Sequence, residues 1–317
     1  MLRLIVLLGA LLGGMSSALA QYPNRAVRII VPFPAGSATD AIARVISAPL
    51  SQALGQPVIV ENKAGADGAI AASDVARANP DGHTLLLATN SPMAAIPSMR
   101  KAPPYDAIND FVPISLTGYY SFYLMVHPSV PAKTLKELID YAKVNPGKLN
   151  YATGNTTGIM SSLQLMWLAG IKMTHVPYKG EPQAVTDMLN GQIQVMFATW
   201  TTTAGHIKDG RIRPIATSLK RRTTYLAEVP TMAEAGLAQF NVLSWAAMFA
   251  PAKTLPAIVE RLNRELVAAA KRPDIIEQFA KIAVEPATST PDELGAFLKD
   301  QIDVWKKTMA AAGVAPE

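Results

Sequence analysis

Residues 26–62, "AVRIIVPFPAGSATDAIARVISAPLSQALGQPVIVEN", read as strand, glycine turn, helix and second strand. Val27, Ile29, Ile30 and Val31 form a short apolar run closed by prolines and Gly36, the pattern of a strand buried on both faces. Ile42, Val45, Ile46, Leu50 and Leu54 then recur at helical spacing as far as Gly55. Pro49 lies within that face and is expected to kink the helix or split its last turn. "GAIAASDVARA" continues as a helix, Pro80-Asp81-Gly82 as a turn and "HTLLLAT" as a third strand. A β-α-β-α-β run of this kind predicts a parallel sheet with helices on both faces.

A second run of the same kind begins near Leu135. "TLKELIDYAKVNPG" opens with Thr134 and Glu137 as a capping box and stops at Pro146-Gly147. Strand "KLNYAT", helix "GIMSSLQLMWLAG", strand "MTHVPY", helix "EPQAVTDMLNG" and strands "IQVMFAT" and "IRPIATS" follow. Helices over 256–271, about 274–283 and from Pro291 onward complete the chain, the last with Thr290 as cap and Glu293 closing the box. Two α/β units imply two lobes, with "SFYLMVHPS" and "NVLSWAAMFAP" as strands able to carry the chain between them. The expected division is residues 21–122 plus 244–317 in lobe 1 and 123–243 in lobe 2.

The N-terminus, "MLRLIVLLGALLGGMSSALAQ", has one cation, an apolar run from Leu4 to Leu12 and an A-x-A site at Ala18 and Ala20. This is the pattern of a secretory signal peptide over residues 1–20, cleaved after Ala20, and the apolar run is too short to span a bilayer. Export follows. The chain has 317 residues, half of them hydrophobic, and no cysteine, which excludes disulfides, thiolate metal sites and a Cys nucleophile. Its positive charges are scattered apart from Lys220-Arg221-Arg222, so nucleic acid is not an expected partner.

In doubly wound sheets ligands bind beyond the carboxyl ends of the strands. Those ends here are "PFPAGSATD", "ATNSPM", "ATGNTTG" and "FATWTTTAG", rich in Gly, Ser, Thr and Asn. Residues 86–98 and 151–168 contain no Asp, Glu, Lys, Arg or His. A helix start at "VPFPAGSATD" offers backbone N–H groups to an anion, yet no Lys or Arg and no Gly-Lys-Ser/Thr is present for a phosphate. Hydroxyls and N–H groups suit a carboxylate removed from water, at about 1.5–3 kcal/mol for each charge-assisted bond. The same loops also serve as ordinary caps and turns. The candidate ligand-binding residues are Phe33, Ala35, Gly36, Ser37, Thr39, Asp40, Asn90, Ser91, Thr153, Asn155, Thr156, Thr157, Tyr178, Thr199 and Trp200. For Asp40 a first-turn helix-dipole role competes with ligand contact. Trp200 would alternate with Thr199 if the strand continued: outside it is packing, inside it would stack on an aromatic dicarboxylate.

Catalytic patterns are weak. H-E-x-x-H, G-x-S-x-G and G-x-G-x-x-G are absent, no metal cluster or cofactor motif is evident, and Ser98-Met99-Arg100-Lys101 fits S-x-x-K without its companion motifs. Binding rather than turnover is expected. "VPFPAGSATD", "VIVENKAGADGAIAA", "ANPDGHTLLLAT", "THVPYKG", "DMLNGQIQVMF", "IRPIATS", "VPTMAEAGL" and "SWAAMFAP" together resemble the Bug-type receptors of tripartite tricarboxylate transporters, over essentially the whole mature chain. Gly36-Ser37 stands where that family usually has Gly-Gly. The resemblance implies an α/β fold of the two-lobed periplasmic binding protein type (type II, Venus-flytrap), with a mixed, mostly parallel sheet in each lobe. It implies a receptor, expected as a monomer, that captures a small organic acid (di- or tricarboxylate, acidic amino acid or aromatic acid). The receptor would deliver the acid to membrane permease subunits. It also implies that a carboxylate is held by backbone groups at the first loop. A sensor of the same fold signalling to a membrane kinase, and an exported serine hydrolase using Ser98 and Lys101, are the competing functions.

Overall fold

Strand β1 (Val27–Val31) is an inner strand of the first sheet, and four of its five side chains are buried. It pairs in parallel with β2 (Val58–Asn62) on one side and β3 (Thr84–Thr89) on the other, with Ile29 opposite Val60 and Leu85. The computed structural model describes residues 22–223, 226–240 and 242–311, so the signal peptide read from the sequence lies outside the described residues. Helix α1 (Ala38–Leu54) connects β1 to β2, capped by Ser37, and ends at Gly55 in a left-handed conformation (φ 69°). Ile42, Ile46, Leu50 and Leu54 are buried along it, and the helix passes Pro49 undivided. Helix α2 (Ala69–Ala76) connects β2 to β3.

Beyond β3 a short π-helical turn (Ser91–Ala95) runs into α3 (Ile96–Met99), and β4 (Phe111–Tyr120) follows. The chain then leaves the first sheet at Ser121. In the second lobe β5 (Phe122–Val126), α4 (Leu135–Val144), β6 (Asn150–Thr153), α5 (Thr156–Ala169) and β7 (Thr174–Pro177) succeed one another. They are followed by α6 (Glu181–Leu189), β8 (Val195–Thr199), α7 (Trp200–Lys208) and β9 (Arg213–Thr217). β10 (Trp245–Pro251) returns to the first sheet, and α8 (Pro256–Ala270), α9 (Pro273–Lys281), β11 (Val284–Pro286) and α10 (Pro291–Ala311) finish the fold.

The two sheets share one plan. The first runs β11-β4-β10-β3-β1-β2 and the second β7-β6-β8-β5-β9. In each, three parallel strands are followed by one antiparallel strand and then one that resumes the original direction. The reversed strands beside the parallel trios are β10 and β5, the same segments that bring the chain across from the other lobe, and the edge strand β11 is also reversed against β4. Both sheets are therefore mixed, with most strands running one way, as the resemblance implied.

Packing ties the lobes together. One apolar cluster runs from β1 and α1 through Tyr120 and Phe122 into Leu124, Val195 and Phe197 of the second sheet. On the other face of the first sheet, Leu294, Leu298, Ile302 and Trp305 of α10 pack with Phe111, Leu116 and Trp245. Among the described residues no helix is long and apolar enough to cross a membrane.

Candidate functional site

The first loop is braced by its own carboxylate. Asp40, 3% exposed, accepts from the Gly36 N–H at 3.0 Å, from Arg44 Nε at 3.0 Å and from Asn62 Nδ2 at 3.1 Å. Asn62 Nδ2 also donates to the Phe33 carbonyl at 2.9 Å, and the Asp40 N–H donates to Ser37 Oγ at 3.3 Å. Burial pushes the Asp40 pKa up, but the bonds from Arg44, Gly36 and Asn62 outweigh it and hold the carboxyl below its ordinary value. Asp40 is thus a bracket for the turn. Ala35 and Gly36 are exposed beside the cleft, and the Gly36 N–H donates to Asp40.

The lobes meet around a cavity of about 20 Å³, room for a water-sized sphere. Phe33, Ser37, Ala38, Thr39, Ser91 and Tyr120 line it from the first lobe. Phe122, Gly154, Asn155, Glu181 and Thr199 line it from the second. Four helix starts converge there: α1 with Ser37 as cap, α5 with Asn155 as cap, α6 with Glu181 as its first residue and α7 with Thr199 as cap. Aligned peptide dipoles make such a point favourable for negative charge.

The other expected residues fall into distinct roles. Asn90 Nδ2 donates to Thr157 Oγ1 at 2.7 Å, and Ser91 Oγ lies 3.4 Å from the same hydroxyl, so these groups bridge the lobes beside the cavity. Thr153 Oγ1 is 2.6 Å from His175 Nε2, and Thr156 is buried within α5. Tyr178 donates to Asp187 at 2.6 Å within its own lobe, and burial with this carboxylate moves its pKa up to about 12. Trp200 does not alternate on a strand, because α7 starts at that residue. Its indole Nε1 instead donates to the Lys281 carbonyl of the first lobe at 3.3 Å. Of the fifteen residues, Phe33, Ser37, Thr39, Ser91, Asn155 and Thr199 line the cavity.

Sequence reasoning missed Tyr120 and Glu181. Glu181 is 6% exposed, and its Oε1 accepts the Thr199 N–H at 2.7 Å, the Thr199 hydroxyl at 2.6 Å and the Thr202 hydroxyl. Burial raises its pKa despite these donors. Tyr120, against Thr39 and Thr89, is likewise raised by burial and then by the Glu181 charge. A lone Glu after "YKG" carries no signal in one sequence, since first-turn Glu is a common helix start. Ser98 is no nucleophile: it is buried and donates to the Ala94 carbonyl at 2.7 Å, while Lys101 is exposed.

Paired sheets of one strand plan, joined by crossing strands and enclosing a cavity between helix starts, define a two-lobed solute-binding protein. A family model described as the tripartite tricarboxylate transporter family receptor matches residues 42–314, and the chain belongs to that family. Its members are substrate-binding receptors, not enzymes. Protein BugT of Bordetella pertussis is 36% identical over 297 residues, covering 92% of this chain and 90% of that one. Among solved structures, R. palustris Rpa4515 with adipate is 31% identical at a TM-score of 0.90, covering 94% of this chain and 100% of that one. MatC (Rpa3494) from Rhodopseudomonas palustris with bound malate is 29% identical at a TM-score of 0.84, covering 90% and 99%.

Proposed function

We propose that this chain is a periplasmic receptor that closes over a small aliphatic dicarboxylate and delivers it to the membrane permease subunits of a tripartite transporter. The observation that carries the reading is the cavity between the lobes, where four helix starts and the hydroxyls of Ser37, Thr39, Ser91 and Thr199 converge. Donors of this kind stabilise a carboxylate withdrawn from water without a buried Arg. The adipate and malate held by the two similar structures are aliphatic diacids, which favours that class for this chain. Because the cavity holds little more than a water, a diacid enters through a parting of the lobes and closure follows.

The test is a thermal-shift and calorimetric panel of aliphatic, hydroxylated, amino and aromatic diacids. A bound ligand at ~100 times its Kd adds about 2.7 kcal/mol of stability. Stoichiometric binding of an aliphatic diacid is the expected result. No stabilisation by any acid in the panel would overturn the reading.

A further inference from the structure

Resting on the carboxylate reading above, we propose that Glu181 shares one proton with a carboxylate of the bound acid, so that capture is coupled to proton uptake. The geometry leaves few alternatives. The Glu181 carboxyl is buried on the cavity wall, and the Thr199 N–H and the Thr199 and Thr202 hydroxyls all donate to its Oε1. Among the described residues Oε2 has no hydrogen-bond partner, and no Lys, Arg or His is paired with Glu181. A dianion brought into this cavity meets Glu181 at close range. Two carboxylates in one desolvated site cannot both remain ionised at little cost, and the stable arrangement is an acid–carboxylate pair holding a single proton. The proton comes from solvent and lies between Glu181 Oε2 and a ligand oxygen. No covalent bond is formed or broken beyond that proton's own.

The neighbouring groups do not provide this proton. Tyr120 on β4 is held above its ordinary range by burial and the Glu181 charge, and Asp40 on α1 is held below its own by Arg44, Gly36 and Asn62 against the effect of burial. His175 on β7 is pushed down by burial. Tyr178 lies at about 12, Asp187 accepts its hydroxyl, and Lys179 precedes the start of α6. Where adipate is a dianion, Glu181 is therefore the group placed to hold the shared proton. Its free-state pKa is raised by burial, and the ligand raises it further. Between those two values one proton is taken up, and Kd rises up to tenfold per pH unit.

The experiment is calorimetric titration of the full mature chain with adipate from pH 7 to 9, in buffers of differing ionisation enthalpy, for wild type and Glu181→Gln. The expected result is uptake approaching one proton in wild type. Glu181→Gln, which keeps a donor facing the ligand, should bind with a flat pH profile. The wild-type uptake is read without the variant, so a poorly folded Glu181→Gln does not blunt the test. Uptake near zero in wild type, or the same pH profile in both proteins, overturns the inference while adipate binding still stands. Flat adipate binding, with Glu181→Gln selectively weakening malate or aspartate, overturns it in favour of an ionised Glu181 accepting from a ligand hydroxyl or ammonium. If no diacid binds either protein, the receptor reading itself fails and this inference falls with it.

Discussion

Asp40 and Asn90 show how single residues near this cleft divide between building it and closing it. Asp40 gathers an N–H, an amide and a guanidinium onto one buried carboxylate, so Asp40→Asn leaves part of the turn unsatisfied. The expected loss is about 1–3 kcal/mol at pH 7, read from urea unfolding. The folded pKa lies below the unfolded value of about 3.9, so the contribution is present above that value and is lost as pH falls through the folded pKa. The gap between wild type and Asp40→Asn should therefore narrow in acid. A gap that is constant down to the lowest pH at which both fold would exclude the bracket role. Asn90 instead donates across the lobes to Thr157. Thr157→Val leaves that buried donor unpaired in the closed form only, at a cost of about 1–3 kcal/mol. Adipate affinity should fall by roughly 5- to 100-fold, with the melting temperature of the free protein little changed. Unchanged affinity in calorimetry would remove the pair from closure.

The elements were legible in the sequence wherever periodicity and caps agreed. The Thr134 and Glu137 box is present on both sides, and at α10 Thr290 and Glu293 exchange the same two bonds at 2.8 and 3.2 Å. β4 was illegible because Pro113 and Gly118 lie within it and β10 shifts register opposite these residues. α7 was illegible for another reason. "WTTTAGHIK" has weak helix propensity, and the helix is held by Thr203 donating to the Thr199 carbonyl at 2.7 Å and Thr202 donating to Glu181. That helix also bears on the choice of ligand. With Trp200 directed to the Lys281 carbonyl, the motive for an aromatic ligand disappears. Trp200→Ala should leave the ratio of affinities for adipate and a benzene dicarboxylate within a factor of about two, as for a residue that does not touch ligand. A selective loss of the aromatic acid in paired calorimetry would return Trp200 to the site. The loops that line the cavity were legible as a class, because uncharged Ser, Thr and Asn cluster at strand ends. Glu181 was not, because its meaning depends on Thr199 and Thr202 arriving from eighteen or more residues away.

At the scale of the whole molecule the lobes touch across the cleft, and a glycine lies at one of the closest approaches. Asn90 reaches Thr157, Thr201 lies 3.4 Å from the Ile282 carbonyl, and Arg221 pairs with Glu285 across the same divide. Gly180 sits where lobe 2 meets Pro34: a Cβ there would lie 2.5 Å from Pro34 Cγ and 2.8 Å from its Cδ. With φ −175° and ψ 160°, its backbone is extended and open to any residue, so an added methyl strains the closed form and not lobe 2 alone. A steric block acting in one of two states shifts the population toward the other by the free-energy difference it creates. Gly180→Ala should therefore hold the lobes apart, weaken adipate binding and keep the radius of gyration large at ligand concentrations that compact the wild type. Gly205→Ala is the matched control: it lies in α7 with nothing within 4 Å of an added Cβ, so it should close normally. Small-angle scattering with and without adipate reads both. If Gly180→Ala compacts like the control and binds as tightly as wild type, Pro34 yields to the methyl and the approach at Gly180 does not limit closure.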